Sequence, residues 1–375
     1  MSQSVFSAAP ERSTPSLPHL ADSVLDRLLE REESLSPHAA RSVHSAGREL
    51  PEPPSPVRTD FQRDRDRILH TNAFRRLNHK TQVFIAPLGD HFSTRLTHTL
   101  EVAQIARTIA RALNLNEDLT EAISLGHDLG HTPFGHIGED ELATLSPGGF
   151  RHSHQGVRIV EQVEKDGRGL NLTAEVRQGI LLHSKPRGDF LADGMVDGLS
   201  LEGQICRISD AVAYLNHDLQ DAFRARVLQE EQMPEEVSRV LGNRHAQRID
   251  TMVRDIIESS WAATGLPGTE SDQHPIITMS GETRHALNTL REFMFQQVYV
   301  PESQGAQGSA ARKIVRLLYT YFDSHRSEIP PEFRARSKSE DNVVADFISG
   351  MTDKYALRAA ERIEPRISAP FNVAV

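Results

Sequence analysis

From residue 57 onward, apolar residues recur at three- and four-residue spacing, and few runs alternate as strands would. The clearest stretch follows His98, where Val102, Ile105, Ala106, Ile109, Ala110 and Leu113 fall on one face of a helix. His98 precedes Val102 by one turn and shares that inward face. Residues 117–129 predict the next helix, in which Leu119, Ala122, Ile123 and Gly126 lead into His127 and Asp128, with Gly130 as its stop. Thr132 as N-cap and Pro133 as first helical residue then predict a short helix carrying His136 and Glu139 on a shared face. Around 205–219 the projection separates Ile205, Ile208, Val212, Leu215 and Leu219 from a polar stripe of Asp210, Tyr214 and Asp218. Gly and Pro in 264–281 mark a loop, and helical patterning resumes over 283–300 and 309–323. The expected fold class is all-α.

The first 56 residues read differently. Ser, Pro and Ala dominate residues 1–20 and PEPPSP occupies 51–56, which predicts a mobile arm, a short helix near 21–34 and a Pro-rich linker, all dispensable for chemistry. Residues 57–375 then form the helical domain, with a metal-binding core at about 70–225 and a helical C-terminal part at about 226–375.

Composition narrows the function. One cysteine, Cys206, excludes an intramolecular disulfide and fits a reducing compartment. No apolar leader opens the chain and no 18-residue apolar run occurs, so the expectation is a cytoplasmic protein with no membrane partner. A net charge of −10 argues against a protein that coats nucleic acid, but a metal and a few arginines can reverse the local field for an anionic small molecule.

The candidate chemistry lies in HDLGHTPFGHIGE at 127–139, with His98 upstream and Asp210 downstream. His98, His127, Asp128 and Asp210 make a mixed His/Asp set suited to a divalent ion, Mn²⁺ or Mg²⁺, with positions left for water or a phosphate oxygen. Such an ion would serve phosphate-ester hydrolysis. His136 with Glu139 reads as a base and its orienting carboxylate. His131 is placed to bind a phosphate oxygen or to act as an acid, and Arg95, just upstream of His98, is a phosphate ligand candidate. Arg63, Asp64, Arg65 and Asp66 read instead as a solvated helix of alternating charge pairs.

Five segments in one order carry a family resemblance: RDRDRI and FRRLNHKTQVF within 63–84, STRLTHTLEVAQIAR at 93–107, HDLGHTPFGHIGE, SDAVAYLNHDLQDA at 209–222, and DFISGMTDKYA at 346–356. They resemble the HD superfamily, and more closely its deoxynucleoside triphosphate triphosphohydrolases of the bacterial deoxyguanosinetriphosphatase type. The resemblance implies an HD-domain helical fold with additional C-terminal helices and hydrolysis of a dNTP to deoxynucleoside and tripolyphosphate. It further implies that His98, His127, Asp128 and Asp210 are metal ligands, His136 and Glu139 the catalytic pair, and His131 a triphosphate contact. Gln82, Tyr214 and Asp218 match sugar-holding positions, and Arg95, His154, Lys185 and Tyr355 match further substrate contacts. A homo-oligomer with an activating dNTP or single-stranded DNA between subunits is also implied. The rivals are a general HD phosphohydrolase acting on nucleoside monophosphates, cyclic nucleotides or guanosine tetraphosphate, and a non-catalytic nucleotide-sensing or nucleic-acid-binding regulator. A minimal HD domain needs only the metal ligands, so the extended polar set disfavours the first; an intact catalytic pair disfavours the second.

Overall fold

The computed structural model describes the chain apart from residues 1–16, 86–91, 186, 187, 192, 193, 195, 270–273, 337–341 and 372–375. Its helices are α1 (Leu17–Glu33), α2 (Asp60–Leu69), α3 (Asn72–Arg76), α4 (Arg95–Ala112), α5 (Glu117–Gly126), α6 (Gly135–Leu145), α7 (His152–Arg158), α8 (Ala174–Leu182) and α9 (Leu201–Arg224). They continue through α10 (Glu235–Leu241), α11 (His245–Ser259), α12 (Gly281–Met294), α13 (Val300–Gln304), α14 (Ala306–Ser324), α15 (Pro331–Arg336), α16 (Val343–Ser349) and α17 (Asp353–Ile363). Among the described residues β pairing is limited to two isolated bridges, Arg48 with Thr173 and Thr81 with Thr94, so the fold is all-α as expected. No described helix is long and apolar enough to cross a membrane.

Two apolar cores position the site. In the larger one, Val102, Ile105 and Ile109 of α4 and its C-cap Leu113 are at most 1% exposed and pack with Leu119 and Ile123 of α5 and with Ile205, Ile208, Val212 and Leu215 of α9. Burying each such side chain contributes about 1.5–3 kcal/mol, enough to hold these three helices side by side. In the second core Phe134, Ile137 and Leu142 pack with Ile314 and Leu318 of α14, Phe347 of α16 and Leu357 of α17. The C-terminal helices therefore pack directly onto α6, the helix that bears His136 and Glu139.

Two N-terminal expectations change. The mobile stretch expected over residues 1–20 lies, for residues 1–16, outside the described residues, and the short helix starts earlier than expected, at Leu17. The following segment is anchored to the body. Glu32 accepts hydrogen bonds from Ser42 N at 2.7 Å and Asn116 Nδ2 at 3.1 Å. Glu52, inside the expected linker, accepts from Arg63 at 2.9 Å and Arg67 at 2.6 Å. Asp64, read as solvated, is 0% exposed, paired with Arg48 and accepting from Thr173 N at 2.7 Å. Proline-rich composition removes local backbone pairing, but it carries no information about carboxylate–guanidinium pairs formed across the fold.

Candidate active site

Thr94 caps α4 through a reciprocal pairing with Thr97, and this sets Arg95 and His98 on one buried face of the first turn. α5, capped by Asn116, ends at Gly126, three residues earlier than its periodicity predicts. His127 and Asp128 consequently lie in the tight turn that leaves the helix, closed by Leu129 N to Gly126 O at 3.3 Å and His131 N to Asp128 O at 3.2 Å. The next helix also departs from expectation: Thr132 is not its N-cap, since α6 begins at Gly135 behind Phe134 in the left-handed region at φ 62°. Thr132 Oγ1 instead donates to Gly135 O at 2.8 Å. An aromatic residue at positive φ is strained. Asp353 of α17 holds it, accepting from Phe134 N at 3.0 Å.

These elements bring the four expected ligands together. Single donor atoms of His98, His127 and Asp128 lie within 4.8 Å of one another, and Asp210 Oδ1 of α9 stands 3.3 Å from His98 Nε2. His127 Nδ1 lies 2.6 Å from Ser124 O, a group that only accepts, so that nitrogen carries the ring hydrogen and Nε2 presents its lone pair. That Nε2 is buried and without a hydrogen-bond partner. His98 Nδ1 is likewise engaged, 2.9 Å from His217 Nε2, and its Nε2 faces the two aspartates. Outer-shell bonds to Nδ1 with Nε2 free are how metal-binding imidazoles are oriented, so the residues fit a divalent ion.

Charge in the site is strongly coupled. Desolvation drives Asp128 upward, but His131, His127 and Arg95 outweigh it and hold the carboxyl well below its ordinary range. Asp210 is partly buried, and Lys185 and His98 likewise outweigh desolvation and depress it. Arg95 donates from Nη1 to Asp128 at 2.8 Å, while its Nε and Nη2 are buried without partners at the edge of the cavity. Lys185 reaches Asp210 Oδ2 and the carbonyl of Arg207 at 3.2 Å.

A cavity of about 790 Å³ opens over these residues. His136 and Glu139 are 3.2 Å apart on its wall. The His136 ring, 71% exposed, projects into the cavity space while protein surrounds it. Desolvation by those walls pulls its pKa down, yet the hydrogen bond and charge of Glu139 prevail and raise it. His131 is 2% exposed, stands 3.1 Å from Asp128, and is driven well below its ordinary pKa, chiefly by desolvation. Gln82, Tyr214 and Asp218 line the same cavity. Gln82 Oε1 is buried without a partner, and Asp218 accepts from the Tyr299 hydroxyl at 2.8 Å.

Two expected contacts are not brought in. His154 sits on the exposed face of α7, and Tyr355 is 45% exposed on α17 against Phe347. Neighbours in the same segments stand closer to the site. His152 bonds Glu139 at 2.9 Å and stacks on His131 with ring centroids 3.9 Å apart. Asp353 accepts from Thr81 N at 2.8 Å, just before Gln82. His183, two residues before Lys185, was also missed and lines the cavity. His154 and Tyr355 each fall within a few residues of a side chain that does approach the site; which residue faces inward depends on where each helix docks.

The HD domain family matches residues 95–238, and the phosphohydrolase-associated domain family matches 277–362. A deoxyguanosinetriphosphate triphosphohydrolase-like protein of Caldanaerobacter subterraneus subsp. tengcongensis is 53% identical over 86% of this chain and 90% of its own length. One of the same description from Desulfatibacillum aliphaticivorans is 46% identical over 88% and 94%. Among solved structures, a hypothetical protein from Aquifex aeolicus has a TM-score of 0.43 at 18% identity, covering 82% of this chain and 70% of its own. Through identity of this extent across 86% of its length, the chain belongs to the HD-domain family of deoxyguanosinetriphosphate triphosphohydrolase-like proteins.

Proposed function

We propose that this HD-family phosphohydrolase cleaves deoxynucleoside triphosphates to deoxynucleoside and tripolyphosphate. The observation that carries this reading is the meeting, in one cavity, of His98, Asp128 and Asp210 of the His/Asp set, the unpartnered edge of Arg95 and the His136–Glu139 pair. His98, His127, Asp128 and Asp210 would hold the ion, Mn²⁺ or Mg²⁺. When bound, it acidifies water and offsets phosphate charge. The guanidinium edge of Arg95 and the ring of His131 bind oxygens of the triphosphate. Glu139 engages His136 Nδ1, which leaves Nε2 as the atom that takes a proton from the attacking water or delivers one to the departing 5′ oxygen. Gln82, Tyr214 and Asp218 bind the sugar, and the Tyr214 phenol, pushed up to about 12, stays neutral as it does so. Lys185 balances Asp210.

The deciding experiment incubates pure protein with each of the four dNTPs and Mn²⁺ and resolves the products by anion exchange. Deoxynucleoside and tripolyphosphate should appear in equal amounts from at least one dNTP. Failure with all four, or release of orthophosphate or pyrophosphate instead, sinks the reading. Repeating the assay with a second dNTP or single-stranded DNA, beside sizing of the protein in solution, tests the proposed homo-oligomer and its activators.

A further inference from the structure

His217 is outside the expected site residues, yet it closes the far side of His98. Seven residues separate Asp210 from His217 on α9, close to two full turns, so both project from one face of that helix, about 10 Å apart along its axis. The His98 ring bridges them: its Nε2 stands 3.3 Å from Asp210 Oδ1 and its Nδ1 stands 2.9 Å from His217 Nε2. The hydrogens follow from that placement. An ion on His98 Nε2 requires a lone pair there, which puts the ring hydrogen on Nδ1, aimed at His217 Nε2 as its acceptor. The hydrogen of a neutral His217 then sits on its Nδ1, which lies 2.9 Å from Asp218 Oδ1, off the line of a hydrogen bond. The other oxygen of Asp218 accepts from the Tyr299 hydroxyl at 2.8 Å. His98, His217 and Asp218 are 2–3% exposed, so bulk water does not replace a partner lost from this row.

We propose that His217 is a positioning residue for the metal ligand His98, and that Asp218, on the wall of the cavity, in turn sets the tautomer of His217. A carboxylate beside Nδ1 favours the hydrogen on that nitrogen and leaves Nε2 as the acceptor. Accepting the hydrogen of His98 Nδ1 fixes the orientation of that ring and makes its Nε2 a stronger donor to a cation. Without His217 the buried Nδ1–H of His98 loses its acceptor, and the ring is favoured to turn away from the ion. α9 thus supplies one ligand directly, through Asp210, and orients a second from two turns further on. Asp218, the carboxylate given above to the sugar, has a second duty behind His98, and this ties the sugar wall to the metal set. The inference rests on the metal reading of His98 and does not depend on which nucleotide is cleaved.

Calorimetric titration with Mn²⁺ tests this without turnover. His217→Phe, which keeps a ring but removes the acceptor, should weaken Mn²⁺ binding by about 10–100-fold, the usual cost of an outer-shell partner. His217→Gln, whose amide oxygen reaches the place of Nε2, should recover most of that loss. Asp218→Asn should weaken Mn²⁺ binding in the wild-type background and add nothing in His217→Phe, because the two act through one path. Wild-type affinity in a folded His217→Phe overturns the proposal, and so does a His217→Gln as weak as His217→Phe, which would mark His217 as packing only. Equal losses from Asp218→Asn in both backgrounds overturn the role of Asp218. Neutron diffraction from Mn²⁺-soaked crystals of the wild-type protein needs no variant to fold: deuterium should appear on Nδ1 of both His98 and His217, and deuterium on His217 Nε2 overturns the proposal. Folded wild-type protein that binds no Mn²⁺ overturns the metal reading and this inference together.

Discussion

His152 and His154 are two residues apart on α7, which turns their side chains about 200° from each other. One meets Glu139 and His183; the other meets solvent. Replacing His152 with Ala should therefore lower dNTP turnover at least about tenfold, as loss of a group that orients site residues does. His154→Ala and Tyr355→Ala should each leave the rate within about twofold, since exposed side chains without site contacts contribute little. Equal losses in His152→Ala and His154→Ala would contradict the orientation of α7. His136 and Asp210 separate chemistry from metal binding. His136→Ala should cost roughly 10²–10⁴-fold in rate while metal content is retained, the usual scale for a general acid or base. Asp210→Ala should lose both, and metal lost from His136→Ala would refute that division of roles.

At the scale of elements, the turn after α5 is held by close backbone approach. A Cβ on Gly130 would stand 2.0 Å from His152 O and 2.3 Å from Gly156 N, so α7 seats directly against the turn that carries His127 and Asp128. Gly130→Ala must push the two apart, and we expect destabilisation of at least about 2 kcal/mol, in the range of overpacking in a tight interior. Thermal unfolding measures this; an unchanged midpoint would mean that contact with α7 does not fix the ligand turn. Gly130 is legible from sequence as a helix stop, but its actual role is proximity to another element. The left-handed Phe134 and its anchor Asp353 were invisible for the same reason, because 219 residues separate them along the chain. Lys80 shows the coupling from the other side. Its buried ammonium donates to His131 O at 2.5 Å and Ser349 O at 2.8 Å, joining the site turn to the C-terminal helices.

For the whole molecule, the N-terminal segment is part of the folded unit. Hydrogen bonding from Arg67 and the charges of Arg67, Arg63 and Arg48 outweigh desolvation and lower the Glu52 carboxyl to about 2 from its ordinary 4.5. A carboxyl depressed on folding stabilises the protein fully above its unfolded pKa and loses that contribution as pH falls through its folded pKa. Glu52→Gln should therefore be less stable than wild type by on the order of 2 kcal/mol at pH 7. The gap should close between about pH 4.5 and pH 2. Denaturant unfolding of both proteins across that range checks it, and a gap that is absent at pH 7 would restore the view of residues 51–56 as a free linker.

Helical periodicity, the His/Asp ligand types, the His136–Glu139 spacing and the Asp210–Tyr214–Asp218 stripe are properties of short stretches of chain. Covalent geometry fixes which residues share a helical face, so these could be read from the sequence alone, and with them the all-α class and the kind of chemistry. The tertiary structure decided the rest: that His152 rather than His154 turns inward, that His183 meets it, that Asp353 rather than Tyr355 serves the site, and that Glu52 clamps the N-terminal segment. Each of these depends on where one helix docks on another. Docking is set by packing summed over many distant side chains, and spacing along the chain does not encode it locally.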